Sequence, residues 1–307
     1  MTGYRKDLPV ALLSGGVGGA RMARGLNAAC TDLSVIVNVG DDEEIYGLHV
    51  SPDLDTVVYT LAGREGREGW GLAGDTFETM ERIGGFGLDN RFSIGDEDLA
   101  TNLFRTARLR AGASLSAITS DIAAHLGVTA KVLPATDHSV PTRVRSGREW
   151  LSFQEYFVLR GGTDPVDELS FEGAGAATPA PGVIDAIDRA DVVVIAPSNP
   201  PLSVWPILAI PGIREALARA SRVIAVSPLF AGKALKGPAD RVMAGLGLAA
   251  GNQGVADAYE SLIDDLVADH GDAGESITTP ATVHHLDTRI ADPSAAARFA
   301  QTLLELP

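Results

Sequence analysis

Hydrophobic and polar positions fall into two kinds of block along this chain. Short, continuous apolar runs at Pro9–Leu13, Ser34–Val39, Val192–Ala196 and Arg222–Val226 are bounded by glycine, proline or charge. Runs that brief and unbroken predict buried strands of a parallel sheet. Longer stretches between them repeat at helical spacing. A helical pattern leaves SGGVGGAR (Ser14 to Arg21) and runs through Ala29, and further helices are predicted over Asp75–Ile83, Asp96–Arg110, Val183–Arg189, Ile213–Ala220 and Pro293–Leu304. Ser114 is placed to cap a helix to Leu126 whose Leu115, Ile118, Ile122 and Leu126 form a core stripe. In Asp96–Arg110 the pattern puts Leu99, Leu103 and Phe104 on one face. Arg105, Arg108 and Arg110 come late, where they complement the helix dipole. Strand, glycine turn, helix, strand is the opening of a doubly wound α/β sheet.

The rhythm breaks in the middle of the chain. Lys131–Leu133, Thr142–Arg145 and Trp150–Phe153 read as strands of an insertion, with Ser146-Gly147 as a hairpin turn. Gly63–Gly74, carrying Trp70, and Gly173–Gly182 read as connections. The expectation is a single α/β domain with a mostly parallel, Rossmann-like core from about 8–60 and 183–290, and a helical and β-rich insertion over about 61–180.

Composition narrows the classes. With 307 residues, 45% of them hydrophobic, the chain can bury a large core. A net charge of -15 argues against nucleic acid or an anionic membrane as main partner. Cys30 is the sole cysteine, which excludes an internal disulfide and a thiolate zinc site. The opening MTGYRKDLPVALLSGG reads as neither signal peptide nor membrane span, so a cytoplasmic location is expected. The six histidines form no metal-ligand spacing, and His284 and His285 adjoin in a predicted strand.

The chemistry concentrates in Asn38–Thr60, NVGDDEEIYGLHVSPDLDTVVYT, between apolar runs at Ser34–Val39 and Val57–Tyr59 of β-like composition. Asp41, Asp42, Asp53 and Asp55 crowd there, and crowded carboxylates repel unless a cation or basic partner sits among them. A hard cation such as Mg2+, shared with substrate phosphates, answers that need. Asp53 capping a helix, within a solvated acidic loop, is the alternative. Gly15, Gly16, Gly18 and Gly19 suit a phosphate, because they let backbone N–H groups at a helix start approach an anion. The turn lacks the Gly-Lys-Ser/Thr ending of a P-loop, and from Gly16 it runs Gly-x-Gly-x-x-Arg, short of a dinucleotide fingerprint. Asp41 and Asp42 follow the second strand, where an NAD enzyme holds its ribose, so an NAD(P)-dependent oxidoreductase stays open. Ser198 and Asn199 follow an apolar strand at the end where ligands lie. Lys233 and Lys236, each beside a glycine, suit phosphate oxygens.

Taken in order, SGGVGGAR, NVGDD, SPDLDT, IGDEDLAT, LPATD, FQEYF, APSNP, IPGIREAL and SPLFAGKALKGPAD resemble the 2-phospho-L-lactate transferase (CofD/FbiA) family of coenzyme F420 biosynthesis, from the first strand to near Tyr259. The resemblance implies a cytoplasmic, homodimeric, Mg2+-dependent transferase. It would move a phospholactyl or phosphoenolpyruvyl group from a guanosine diphosphate diester to the ribityl hydroxyl of the deazaflavin Fo, releasing GMP. By position it implies Asp41 and Asp53 as metal ligands with Asp42 close by, Asp42 and Asp55 as catalytic, and Asp55 and Ser93 at Fo. The four glycines, Ser198 and Asn199 would hold the guanosine diphosphoryl part, with Lys233 assisting. Glu43, Glu44 and Ile45 replace an aromatic of the family's pattern, and Glu97–Asn102 replaces Arg-Asp-Leu-Ala-Thr-His. A GDP-binding regulatory protein without catalysis is the other reading left open.

Overall fold

A computed structural model describes residues 6–307. The first five residues of the opening segment discussed above lie outside it. In chain order the strands are β1 (Pro9–Ser14), β2 (Asp32–Val37), β3 (Glu43–Ile45), β4 (Leu48–Val50), β5 (Lys131–Pro134), β6 (Thr142–Ser146), β7 (Glu149–Ser152), β8 (Glu168–Phe171), β9 (Val192–Ile195), β10 (Val223–Val226), β11 (Leu229–Phe230), β12 (Lys233–Ala234), β13 (Asp265–Asp269) and β14 (Thr282–Leu286). Seven of them form one sheet in the order β14-β13-β10-β9-β1-β2-β5. Every pairing in it is parallel. The strand order reverses between β1 and β9. In such sheets the crevice beyond the carboxyl ends of the strands at that switch point is where ligands bind.

The helices that matter for the site are α1 (Gly16–Ala29), α2 (Pro52–Leu61), α3 (Glu78–Gly85), α4 (Asp96–Arg110), α5 (Leu115–His125) and α6 (Val183–Arg189). Apolar residues on both sheet faces are sealed by helices, which is why the strands read as continuous hydrophobic runs. On one face α1, α2, α5 and the helix Pro293–Leu304 bury Leu12, Met22, Leu26, Val35, Val57, Ile118 and Leu303. On the other, α6 and the helix Gly251–Tyr259 cover Leu13, Ile36, Val193 and Ala225. Each such side chain stabilises the fold by about 1.5–3 kcal/mol. Among the described residues no helix is long and apolar enough to cross a membrane.

Four expectations change. Val57–Tyr59, β-like in composition, lies inside α2, because Pro52 at its first position starts a helix that buries this run against the sheet. Asp53 therefore sits in the first turn of α2 and does not cap it; Ser51 is the N-cap residue. Lys131–Pro134 is not part of the insertion but the edge of the main sheet, parallel to β2. The separate antiparallel sheet is β7-β6-β8. In α4, Leu103 and Phe104 are 52% and 41% exposed, while Asn102, Arg105 and Thr106 are its buried residues. The polar face of α4 turns inward, toward the carboxylates described next.

Candidate active site

Two helix N-termini meet at the carboxyl edge of the sheet, and each receives a carboxylate from elsewhere. At α1, the Gly16 N–H donates to Asp53 Oδ1 at 2.6 Å. At α2, the Asp53 N–H donates to Asp41 Oδ2 at 3.1 Å. The positive end of each helix dipole thus faces an acidic group. Asn38 ties the pair together, its Nδ2 donating to Asp53 Oδ2 at 2.9 Å and Asp41 Oδ1 at 3.3 Å. Its Oδ1 accepts from the Gly40 N–H at 2.8 Å and so fixes which end of the amide points at the acids. Gln154 Nε2 donates to the Asp41 carbonyl at 2.7 Å, anchoring the loop from the far side.

The glycine turn explains itself locally. A side chain at Gly15 would lie 2.7 Å from Asp53 Oδ2, so the acid and the turn share space that only glycine leaves open. Gly16 adopts φ +65°, the left-handed region that glycine tolerates. Gly18 and Gly19 face inward, against the Pro197 carbonyl and Ser14 Oγ, and serve helix packing. Ser198 braces the same turn, donating to the Gly15 carbonyl at 2.7 Å and accepting its N–H at 3.3 Å. Asn199 uses Oδ1 to accept the Leu202 N–H, and its Nδ2 is buried with no partner. Of the buried residues predicted for the donor, Asn199 is therefore the one with an unpartnered side-chain donor.

Asp41 is 3% exposed and Asp53 8%. Burial, then repulsion from Asp53 and Asp42, holds the Asp41 carboxyl well above the usual range. Burial raises Asp53 to about 6, opposed by the bonds from Asn38 and Gly16. No lysine, arginine or histidine side chain forms an ion pair with either among the described residues. Asp42 stands beside them, its Oδ2 accepting from Ser51 Oγ at 2.8 Å and 3.0 Å from His49 Nε2. Asp42 Oδ1 is buried and unpartnered. The β3–β4 hairpin supplies His49 through a tight turn at Tyr46 and Gly47, both at positive φ.

Asp55, two residues past Asp53, faces a different environment. Its Oδ1 accepts from Arg105 Nη2, and Arg105 is 1% exposed. Arg105 Nη1 donates to Asn102 Oδ1 at 2.7 Å. Asn102 Nδ2 donates to the Asp98 carbonyl at 2.9 Å, and Tyr59 donates to Asp98 Oδ1 at 2.8 Å. Burial raises Asp55 to about 7; Arg105 pulls it down, and Asp98 and Asp42 push it up. Burial likewise raises Asp98, against Tyr59 and Arg105.

The remaining predicted residues lie apart. Ser93 is exposed in the loop entering α4, with no hydrogen bond to the carboxylates. Lys233 is exposed on the β11–β12 hairpin. Lys236 instead bonds Glu68, Nζ to Oε2 at 3.2 Å, and lies 5.6 Å over the Trp70 ring. Arg105, Asn38 and His49 were not among the predicted site residues.

A family model described as 2-phospho-L-lactate transferase CofD matches residues 10–301. A phosphoenolpyruvate transferase of Thermobifida fusca is 38% identical, over 97% of each chain. A 2-phospho-L-lactate transferase of Methanopyrus kandleri is 39% identical, over 98% of each. Among solved structures, a UPF0052 family member from Bacillus halodurans has the same fold, with TM-score 0.65 and 18% identity over 98% of this chain and 100% of that one. A carboxylate pair at the switch point of a doubly wound sheet, in a chain matched along nearly its whole length, places this protein in the 2-phospho-L-lactate transferase (CofD) family of transferases.

Proposed function

We propose that this enzyme transfers a phospholactyl or phosphoenolpyruvyl group from a guanosine diphosphate diester to the terminal ribityl hydroxyl of Fo. The hydroxyl oxygen attacks the phosphorus that carries the three-carbon acid. The bond from that phosphorus to the bridging oxygen breaks, GMP leaves, and the hydroxyl proton passes to a carboxylate or to water. Family membership supports this reading, and the observation that carries it is the contrast within one short stretch of chain. Asp41 and Asp53 form a buried acidic pair without a side-chain cation, whereas Asp55 has Arg105.

The residues present fit a divalent metal. Each carboxylate of the pair accepts two hydrogen bonds of the roughly four that it has lone pairs for. Asp42 Oδ1 adds an unpartnered buried acceptor beside them. Among the described residues no group of three or more His, Cys, Asp or Glu side chains is arranged to hold a metal by itself. Two carboxylates completed by substrate phosphate and water is the usual Mg2+ arrangement. Asp41 and Asp53 would hold Mg2+, which would supply positive charge at the diphosphate.

The chain's own groups do the rest. Asn38 keeps the two acids aligned. At the start of α1 the open space lies beside Gly16, where the diphosphate would sit, and Asn199 Nδ2, buried without a partner, is the candidate donor to it. Asp55 offers Oδ2 to the Fo hydroxyl, because Oδ1 is taken by Arg105. It is the candidate acceptor of the hydroxyl proton. The same reading makes the enzyme a cytoplasmic homodimer, as the family resemblance implies; analytical ultracentrifugation checks the assembly. Mass spectrometry of products from Fo with each donor, with and without Mg2+, tests the reaction. F420-0 or its dehydro form should be seen only with Mg2+, and no adduct with either donor would refute the assignment.

A further inference from the structure

A cavity lies along the outer face of α1, away from the carboxylates. Its volume is about 310 Å³, and it is walled by α1, the 63–74 connection, the end of α2 and the segment before the helix Pro293–Leu304. Thr60 lines it, seven residues after Asp53 and so about 10 Å further along the α2 axis. Gly18 and Gly19 pack inward on Pro197 and Ser14, whereas Val17 packs on Gly69 in this cavity. The two sites therefore lie on different sides of one helix.

Positive charge is concentrated there in a chain whose net charge is -15. Arg21, Arg24 and Arg67 line the space. Val17, Arg21 and Arg24 form one stripe at helical spacing, so α1 presents both arginines to the same side. Arg24 is committed to Glu65, yet its Nε is buried without a partner. Asp292 is occupied as well, its Oδ1 accepting the Ala295 N–H at 2.9 Å as the cap of the last helix. Among the described residues Arg21 and Arg67 have neither an ion pair nor a side-chain hydrogen bond. Arg21, Arg24 and Arg67 face the carboxylates of Glu65 and Asp292, which leaves the cavity one positive charge in excess, and the two unpaired guanidinium groups have the fork geometry that matches phosphate oxygens.

We infer that this cavity is a second anion site that takes a phosphate group, inorganic or on a small phosphorylated molecule, held by Arg21 and Arg67 with Arg24 as support. Its wall reaches the donor turn through Val17, and Glu68 and Trp70, next in sequence to its lining residues Arg67 and Gly69, are held by Lys236 from the loop after β12. A bound phosphate stabilises that loop against α1.

The inference is independent of the donor assignment and is tested without activity. Inorganic phosphate is titrated calorimetrically into the full-length protein at constant ionic strength, with circular dichroism confirming that each variant folds. Saturable binding is expected for the wild type, weakened about tenfold or more in Arg21→Ala/Arg67→Ala and within about twofold of wild type in Asp53→Asn. The free phosphate and an organic phosphate monoester, run in parallel, distinguish the two sources. Absence of saturable binding would overturn the inference. So would binding that survives loss of both arginines, and a change of more than about twofold in either direction in Asp53→Asn would place the phosphate at the glycine turn instead.

Discussion

Two acidic centres sit within one short stretch of this chain and are treated in opposite ways. The Asp41/Asp53 pair is buried with only neutral partners: Asn38, two backbone N–H groups and the helix dipoles behind them. Asp55 is buried to a similar degree but carries a fully buried arginine. A buried carboxylate without a cation is expensive, which is why burial and repulsion push Asp41 and Asp53 toward protonation. The first centre is unfinished electrostatically and suits a cation from solution. The second is already neutralised by the chain and suits orientation of a hydroxyl. Proximity in sequence therefore misleads about role, and the partner decides it.

The largest effect that would break this contrast is loss of the unfinished pair. Asp53→Asn keeps the shape but removes the charge and one of the two hydrogen bonds the carboxylate accepts. Transfer should fall about a thousandfold, a typical cost of losing transition-state charge stabilisation, as read in steady-state assays with each donor. Normal turnover with normal Mg2+ dependence would remove the metal assignment.

Next comes the finished centre. Arg105→Ala strands Asp55 beside Asp98 in the interior, and chemical denaturation should show a loss of about 3–5 kcal/mol, more than an exposed arginine of the same helix, Arg108, would cost. Arg105→Lys retains the charge but loses the fork to Asn102, so part of the stability returns while Fo affinity stays reduced.

A smaller, reversible effect is set by pH. Asp53 and Asp55 titrate in the folded protein near 6 and 7, above the ordinary aspartate value. A carboxyl with a raised folded pKa binds its proton more tightly when folded. Its stabilising contribution is complete at low pH and is lost as pH rises through the folded value. The metal-free enzyme should melt a few degrees higher at pH 5.5 than at pH 8. Asp53→Asn should shrink that difference, and Mg2+ should shrink it from the high-pH side. A pH-independent melting point would contradict the shifts. The smallest effect sharpens the boundary of the site. Lys233 is exposed on a hairpin, so Lys233→Ala should change kcat/KM by less than about twofold.

Much of this architecture was legible in the residues. The β1–turn–α1–β2 opening follows from apolar runs flanking glycines, and Asp96–Arg110 and Pro293–Leu304 have the bounds that their periodicity implied. The four aspartates announce themselves by crowding. What spacing could not supply was pairing across the chain. Arg105 read as a helix-end charge because its partner lies fifty residues away. Lys131–Pro134 looked like part of the insertion because an edge strand carries no mark of which sheet it joins. Ser93 came from the family pattern and Lys233 from its neighbouring glycine, and the fold leaves both exposed.

The contrast between the two centres is tested most directly by divalent-cation affinity, read as Mn2+ binding by electron paramagnetic resonance in the presence of GDP. Asp53→Asn should weaken binding by about tenfold or more, whereas Asp55→Asn should leave it within about twofold of wild type. Equal loss in both variants, or loss only in Asp55→Asn, would contradict the account.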